Sequence, residues 1–166
     1  MPPLLKKILV ALTLFLLALV FVLYWVLRTK VTDVSDKKPY AEFMGKQVAI
    51  KRPAALFKTR EPDVQANPYL LIEAQPAAQD DVHPHYVLPA GTVITLQQAK
   101  LFRNGTSGFQ RSYVLGTVFV PKLKAEIAFE YAWGKNNWSN AADENDHYTF
   151  PMALWQDRAI DGKFKY

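Results

Sequence analysis

The sequence predicts one membrane-spanning helix followed by a small all-β domain, a barrel or sandwich with an SH3-like barrel favoured. Three observations predict it. One is a 20-residue apolar run, Ile8–Leu27, near the N-terminus. The second is a series of short segments after residue 40 in which apolar and polar residues alternate, the period of a half-buried strand. The third is the turn chemistry between them, above all Pro89-Ala90-Gly91 and Asn104-Gly105.

Thr13 is the sole residue of Ile8–Leu27 outside the apolar and aromatic set. A helix of that length rises about 30 Å, the thickness of a bilayer's hydrocarbon core. Lys6 and Lys7 bound it on one side, Arg28 and Lys30 on the other, and Tyr24 and Trp25 stand at its end, where aromatic rings favour the interface. A cleaved signal peptide would have a shorter apolar region and small residues at a cleavage site; here the run ends in Tyr-Trp-Val-Leu-Arg. The expected organisation is a short cytoplasmic leader (1–7), a span (8–27), a juxtamembrane spacer (28–39) and a soluble β domain (40–166). Counting Lys and Arg alone favours a cytoplasmic C-terminal side. A very short leader argues the reverse, that the span exports the domain attached to it. We therefore expect a single-pass protein of a bacterial inner membrane with a periplasmic C-terminal domain.

Hydrophobic residues make up 50% of the 166 residues but about 44% once the run is set aside, an ordinary globular value. The net charge of +5 is equally local. From residue 31 onward 16 basic residues face 15 acidic ones, so the basic balance belongs to the flanks of the span. It is not the footprint of a nucleic-acid-binding domain. The chain has no cysteine, which excludes disulfides, zinc–thiolate sites and thiol catalysis.

Along the domain, Tyr40, Phe43 and Met44 have the spacing of one helical turn ended by Gly45. Lys46–Arg52 alternates as a strand, and Leu56-Phe57 is a short second one. Thr59–Pro68 and Pro76–Pro84 read as loops around an apolar strand, Tyr69–Gln75. Thr92–Phe102 is a long strand, the Asn-Gly turn forms a hairpin, and Tyr113–Val120 returns. In Lys122–Trp133 the face with Leu123, Ala125, Ile127, Phe129, Tyr131 and Trp133 is expected inside, and Lys122, Lys124, Glu126 and Glu130 in water. Gly134–Asp146 is a polar loop, Tyr148–Trp155 a last strand or short helix, and the remainder a charged tail.

Chemistry-bearing motifs are few. No nucleophile elbow, zinc-protease helix, phosphate loop or dinucleotide fingerprint occurs, so the chain is not expected to be an enzyme or to hold a cofactor. His83-Pro84-His85 beside Asp80 and Asp81 is the one metal-like cluster, and it lacks the four ligands of a closed site; His83 and His85 are weak candidates at most. Asp143-Glu144-Asn145-Asp146 lacks the alternation and glycine of a calcium loop. Asn104 and Asn137 begin glycosylation sequons, the first read as turn chemistry.

The residues singled out for ligand or partner binding are Trp133, Asn136, Asn137, Trp138 and Trp155, because exposed indoles with amides stack on sugars or anchor a protein. The expected function is an extracytoplasmic binding module, with the bilayer and a protein as partners and no nucleic acid. That module would be an accessory subunit of an envelope complex or an immunity-type protein. The alternative is binding of a cell-wall glycan. A hydrolase or metal enzyme built on His83, His85 and Asp81 ranks below both.

Overall fold

The computed structural model describes residues 2–58, 67–74, 85–137 and 147–166. The chain forms two compact units, Met1–Lys30 with Arg103–Phe109, and Val31–Phe102 with Gln110–Tyr166.

In the first unit, helix α1 runs Pro3–Leu27, five residues longer at its start than the apolar run. Proline is favoured in a first helical turn, where its missing N–H has no partner to lose. Thr13 returns its hydroxyl to the Leu9 carbonyl at 2.9 Å, so the one polar side chain of the apolar run is satisfied within the helix. The helix is long and apolar enough to cross a membrane.

The second unit is built of strands. They are β1 (Lys30–Asp33), β2 (Gln47–Ala49), β3 (Ala54–Lys58), β4 (Tyr69–Glu73), β5 (Tyr86–Leu88), β6 (Val93–Arg103), β7 (Gln110–Val120), β8 (Ala125–Ala132), β9 (Lys135–Asn136), β10 (Tyr148–Phe150) and β11 (Ile160–Phe164). The main sheet has the order β1-β6-β7-β8-β4-β3-β5, with β2 also on β6. Among the described residues no ladder joins β5 back to β1, so the sheet is open, and the expected SH3-like barrel is corrected to an open sheet. The neighbours β4 and β8 are parallel, a pairing no hairpin reading provides. A second sheet, β11-β10-β9, carries the C-terminal end.

The alternating segment is strand β8, paired with β7 over eight residues from Tyr113–Ala132 to Val120–Ala125. Strand β7 is buried on both faces at its centre. Val114 and Val118 enter the main core with Ile50, Leu56, Leu71, Ile94, Leu96, Phe129 and Trp133. Tyr113 and Leu115 pack on the other face against Phe102 and Leu70. Gly116 lies between these residues because a Cβ there would meet the Thr95 carbonyl and come within 2.8 Å of the Phe129 ring.

Lys122, Lys124 and Glu126 are exposed as expected. Leu123 and Ala125 of the expected inner face are exposed too, beyond the part of β8 that the core covers, and Glu130 of the expected solvent face is not. Glu130 is fully buried, and its Oε1 accepts the Asn67 backbone N–H at 2.9 Å. The Asn67 side chain donates in turn to the Phe129 carbonyl at 3.2 Å. Burying a carboxylate is tolerable when hydrogen bonds replace its water. Here it holds the chain entering β4 at the parallel joint.

Tyr40–Glu42 forms a 3-10 turn, followed by Gly45 at φ 76°, as the sequence predicts. The last predicted strand stops early at Phe150, because Pro151 has no N–H for a ladder. Segment 151–156 is instead docked by single hydrogen bonds. The Pro151 carbonyl accepts from Trp133 Nε1, the Leu154 carbonyl from the Lys51 N–H, and the Met152 and Ala153 carbonyls from Arg52 Nη2.

Two glycines provide a test. Gly134 has φ 111°, and a Cβ there would lie 2.5 Å from Ser112 Oγ and 2.9 Å from the Phe150 ring. Gly91 has φ 89° with open space around it. Gly134→Ala should cost about 2–3 kcal/mol and Gly91→Ala about 1 kcal/mol, since only the first adds a clash to the backbone strain. Denaturant unfolding of the full chain in detergent measures both; equal losses would show that the crowding at Gly134 is unimportant.

Candidate functional site

Two of the three predicted indoles lie in the core. Trp133 is 1% exposed and Trp155 5%. Their rings meet edge-on at 5.4 Å, with Phe43 5.6 Å and Tyr40 5.5 Å from Trp133. Indole faces held this way are closed to a sugar, so these two residues are corrected from binding positions to core. Asn136 and Asn137 lie at the rim. Asn137 binds Thr149 Oγ1 through its side chain at 2.9 Å and the His147 carbonyl through its N–H at 3.0 Å. Asn136 Oδ1 is buried with no hydrogen-bond partner among the described residues. Trp138 lies outside the described residues, as do His83, Asp80, Asp81 and the acidic stretch Asp143–Asp146. His85 packs its ring against Tyr69 at 6.0 Å. Among the described residues, no three His, Cys, Asp or Glu side chains are grouped to hold a metal.

The electrostatics of this core centre on the Trp133 carbonyl. The Tyr40 hydroxyl donates to it at 3.2 Å, and the Ser112 hydroxyl donates to it as well. Burial pushes the Tyr40 phenol far above its ordinary value of 10.0, against a smaller opposing effect of the Ser112 hydrogen bond. Burial also raises Tyr166, whose hydroxyl donates to the Lys38 carbonyl at 2.6 Å, and Tyr131.

Among the described residues, concavities open on the surface of this unit at two places that bear on function. A cleft of about 770 Å³ runs beside Glu42, Phe43 and residues 155–161. It carries charge of both signs, with Asp157 and Asp161 near Arg158, and Asp157 is already paired with Lys51 at 3.4 Å. The Trp155 indole N–H is buried beside it without a partner among the described residues.

The second is an apolar groove of about 350 Å³ between β5 with its flanks, His85–Pro89, and the end of β7 with its turn, Phe119–Lys122. Val87 is 64% exposed and Phe119 53%. Strand β5 is the last strand of the main sheet, laddered only to β3 among the described residues. The groove therefore joins an open backbone edge to two exposed apolar side chains. Sequence reasoning misses it because β5 is three residues long and borders a loop; Tyr86-Val87-Leu88 between prolines is the available signal. No family model, curated protein or solved structure matches the chain.

The tyrosines give a pH dependence with a definite sign. A phenol whose folded-state pKa is raised stabilises the fold fully below the unfolded-state pKa and progressively less above it. The unfolding midpoint should stay level with respect to these groups up to about pH 10 and fall beyond it. Tyr40→Phe should make that fall shallower. Thermal unfolding followed across alkaline pH reads the difference, and an unchanged slope in the variant would remove Tyr40 from the account.

Proposed function

We propose that this chain is a membrane-anchored binding module whose β domain takes an extended segment of a partner protein along β5, on the periplasmic side of a bacterial inner membrane. The observation that carries the reading is the groove at the open sheet edge. An edge strand exposes backbone N–H and C=O groups ready to pair, and natural domains usually blunt such edges with charge, proline or a covering element. Here β5 is short and stands between Pro84 and Pro89, but its exposed side chain is the apolar Val87, and Phe119 lines the same groove. Strand addition uses both features, backbone hydrogen bonds for affinity and side-chain pockets for specificity.

The groove suits a protein better than a glycan. Sugar sites need an open aromatic face ringed by hydrogen-bonding groups, and Trp133 and Trp155 are sealed in the core. The anchor is supported by α1, which is apolar over a bilayer's thickness and bounded by Lys6, Lys7 and Arg28.

The test is cross-linked affinity purification of the full-length protein from native membranes, with a Val87→Lys/Phe119→Lys variant alongside. The expected result is a stoichiometric protein partner whose recovery falls at least about tenfold in the variant, as for loss of central apolar contacts. Equal recovery by a variant with native fluorescence, or no protein partner for the wild type, would overturn the reading.

A further inference from the structure

The first compact unit contains more than the helix. The hairpin tip Arg103–Phe109 belongs to it. Gly105 sits against the end of α1, where a Cβ would come within 2.5 Å of the Leu27 carbonyl oxygen and 2.6 Å of that of Arg28. Glycine is required for this approach because any side chain would meet backbone, which cannot swing aside. The depth of the tip is therefore set by the end of the helix.

That end has the marks of a membrane exit. Tyr24 and Trp25 close the apolar run. The Arg28 guanidinium lies 5.5 Å and the Lys30 ammonium 5.8 Å from the centre of the Trp25 ring, so two cations gather on an interfacial indole. No acidic residue occurs before Asp33, and none occurs in the tip.

The tip is built to sit in a partly dehydrated layer. Asn104 Oδ1 accepts the N–H groups of Thr106 and Ser107, both at 2.9 Å. The Asn104 N–H donates to the Phe109 carbonyl and the Gly108 N–H to the Asn104 carbonyl, again at 2.9 Å. Ser107 Oγ accepts from the Phe109 N–H at 3.3 Å. Backbone groups paired within the turn do not require water, which is the condition for irregular chain near lipid. Phe109 is 54% exposed, and Arg103 is exposed at the other end of the tip.

We propose that the tip 103–109 is a second membrane contact, lying in the phospholipid headgroup layer beside the exit of α1. Phe109 reaches the boundary between headgroups and acyl chains, and Arg103, with Arg28 and Lys30, meets the phosphates of anionic lipids. The inference rests on the reading of α1 as a bilayer span. It attaches the membrane to the chain at two places far apart in sequence.

The absence of cysteine makes the test clean. Single cysteines introduced as Phe109→Cys and Leu17→Cys carry an environment-sensitive fluorophore in the full-length protein, reconstituted in phosphatidylcholine–phosphatidylglycerol vesicles. Quenching is read with lipids spin-labelled near the headgroup, lipids spin-labelled deep in the acyl chain, and aqueous iodide. The proposal expects the probe at 17 to respond to the deep label, and the probe at 109 to respond about twofold more to the shallow label than to the deep one, with little effect of iodide. A deep response at 17 with quenching at 109 by iodide alone would overturn the proposal and leave the span intact. No lipid response at 17 would overturn the span and the proposal with it. A Gly105→Val variant, which forces the tip off the helix end, should turn the probe at 109 from lipid to iodide quenching; no change would show that contact with the helix does not set its depth.

Discussion

The β domain depends on one carbonyl, that of Trp133. Tyr40 and Ser112 both donate to it, from segments far apart in the chain. The Trp133 N–H donates to the Ser112 carbonyl at 3.1 Å, so the end of β8 is held to β7 beyond the last ladder pair. Gly134 then turns the chain through a conformation that L side chains rarely adopt, at a point where a side chain has no room. A buried carbonyl that takes two hydroxyl donors is well satisfied, and removing one donor leaves a demand that solvent cannot reach. Around this node the rings of Phe43, Phe150 and Trp155 meet Trp133 edge to face. The C-terminal segment docks onto the same ring through the Pro151 carbonyl.

A domain held together in this way does not need to close its sheet. The parallel joint of β4 and β8, stabilised by buried Glu130 and Asn67, carries the sheet outward to β3 and β5. The edge at β5 is left with apolar side chains beside it, and that edge is where a partner's backbone would continue the sheet. Stability and binding thus fall on different parts of the molecule. The aromatic core serves the first, and the groove near Val87 is our proposal for the second.

The sequence displays the parts governed by local physics. The apolar run, the strand at β8, the long β6 and the turn closing at Gly45 all depend on neighbouring residues, and all are present, although burial along β8 does not alternate. What it hides depends on distant partners. β1 lies in a charged stretch that reads as a spacer, and β11 in a charged tail; both are strands because a neighbour offers a ladder. Glu130 alternates correctly with its neighbours, yet it lies at the parallel joint with β4 and takes the Asn67 N–H, so it is buried while Glu126 on the same face is exposed. Asn104-Gly105 does mark a hairpin, although Asn104 works through its side chain and Gly108, at φ 69°, takes the left-handed position. Trp133, Trp155, Asn136 and Asn137 are visible as a composition, and whether an indole faces water is settled only by what packs on it. His85 packs on Tyr69, a contact that spacing alone does not reveal.

The central claim is that the β5 edge is where the domain meets a partner. Its most direct measurement is site-specific photo-cross-linking in native membranes, with a photoreactive residue at position 87 and, for reference, at exposed Ile72 on β4. The account predicts one discrete cross-linked protein from position 87 and none from position 72. Cross-links from 72 alone, or the same diffuse pattern from both, would contradict it.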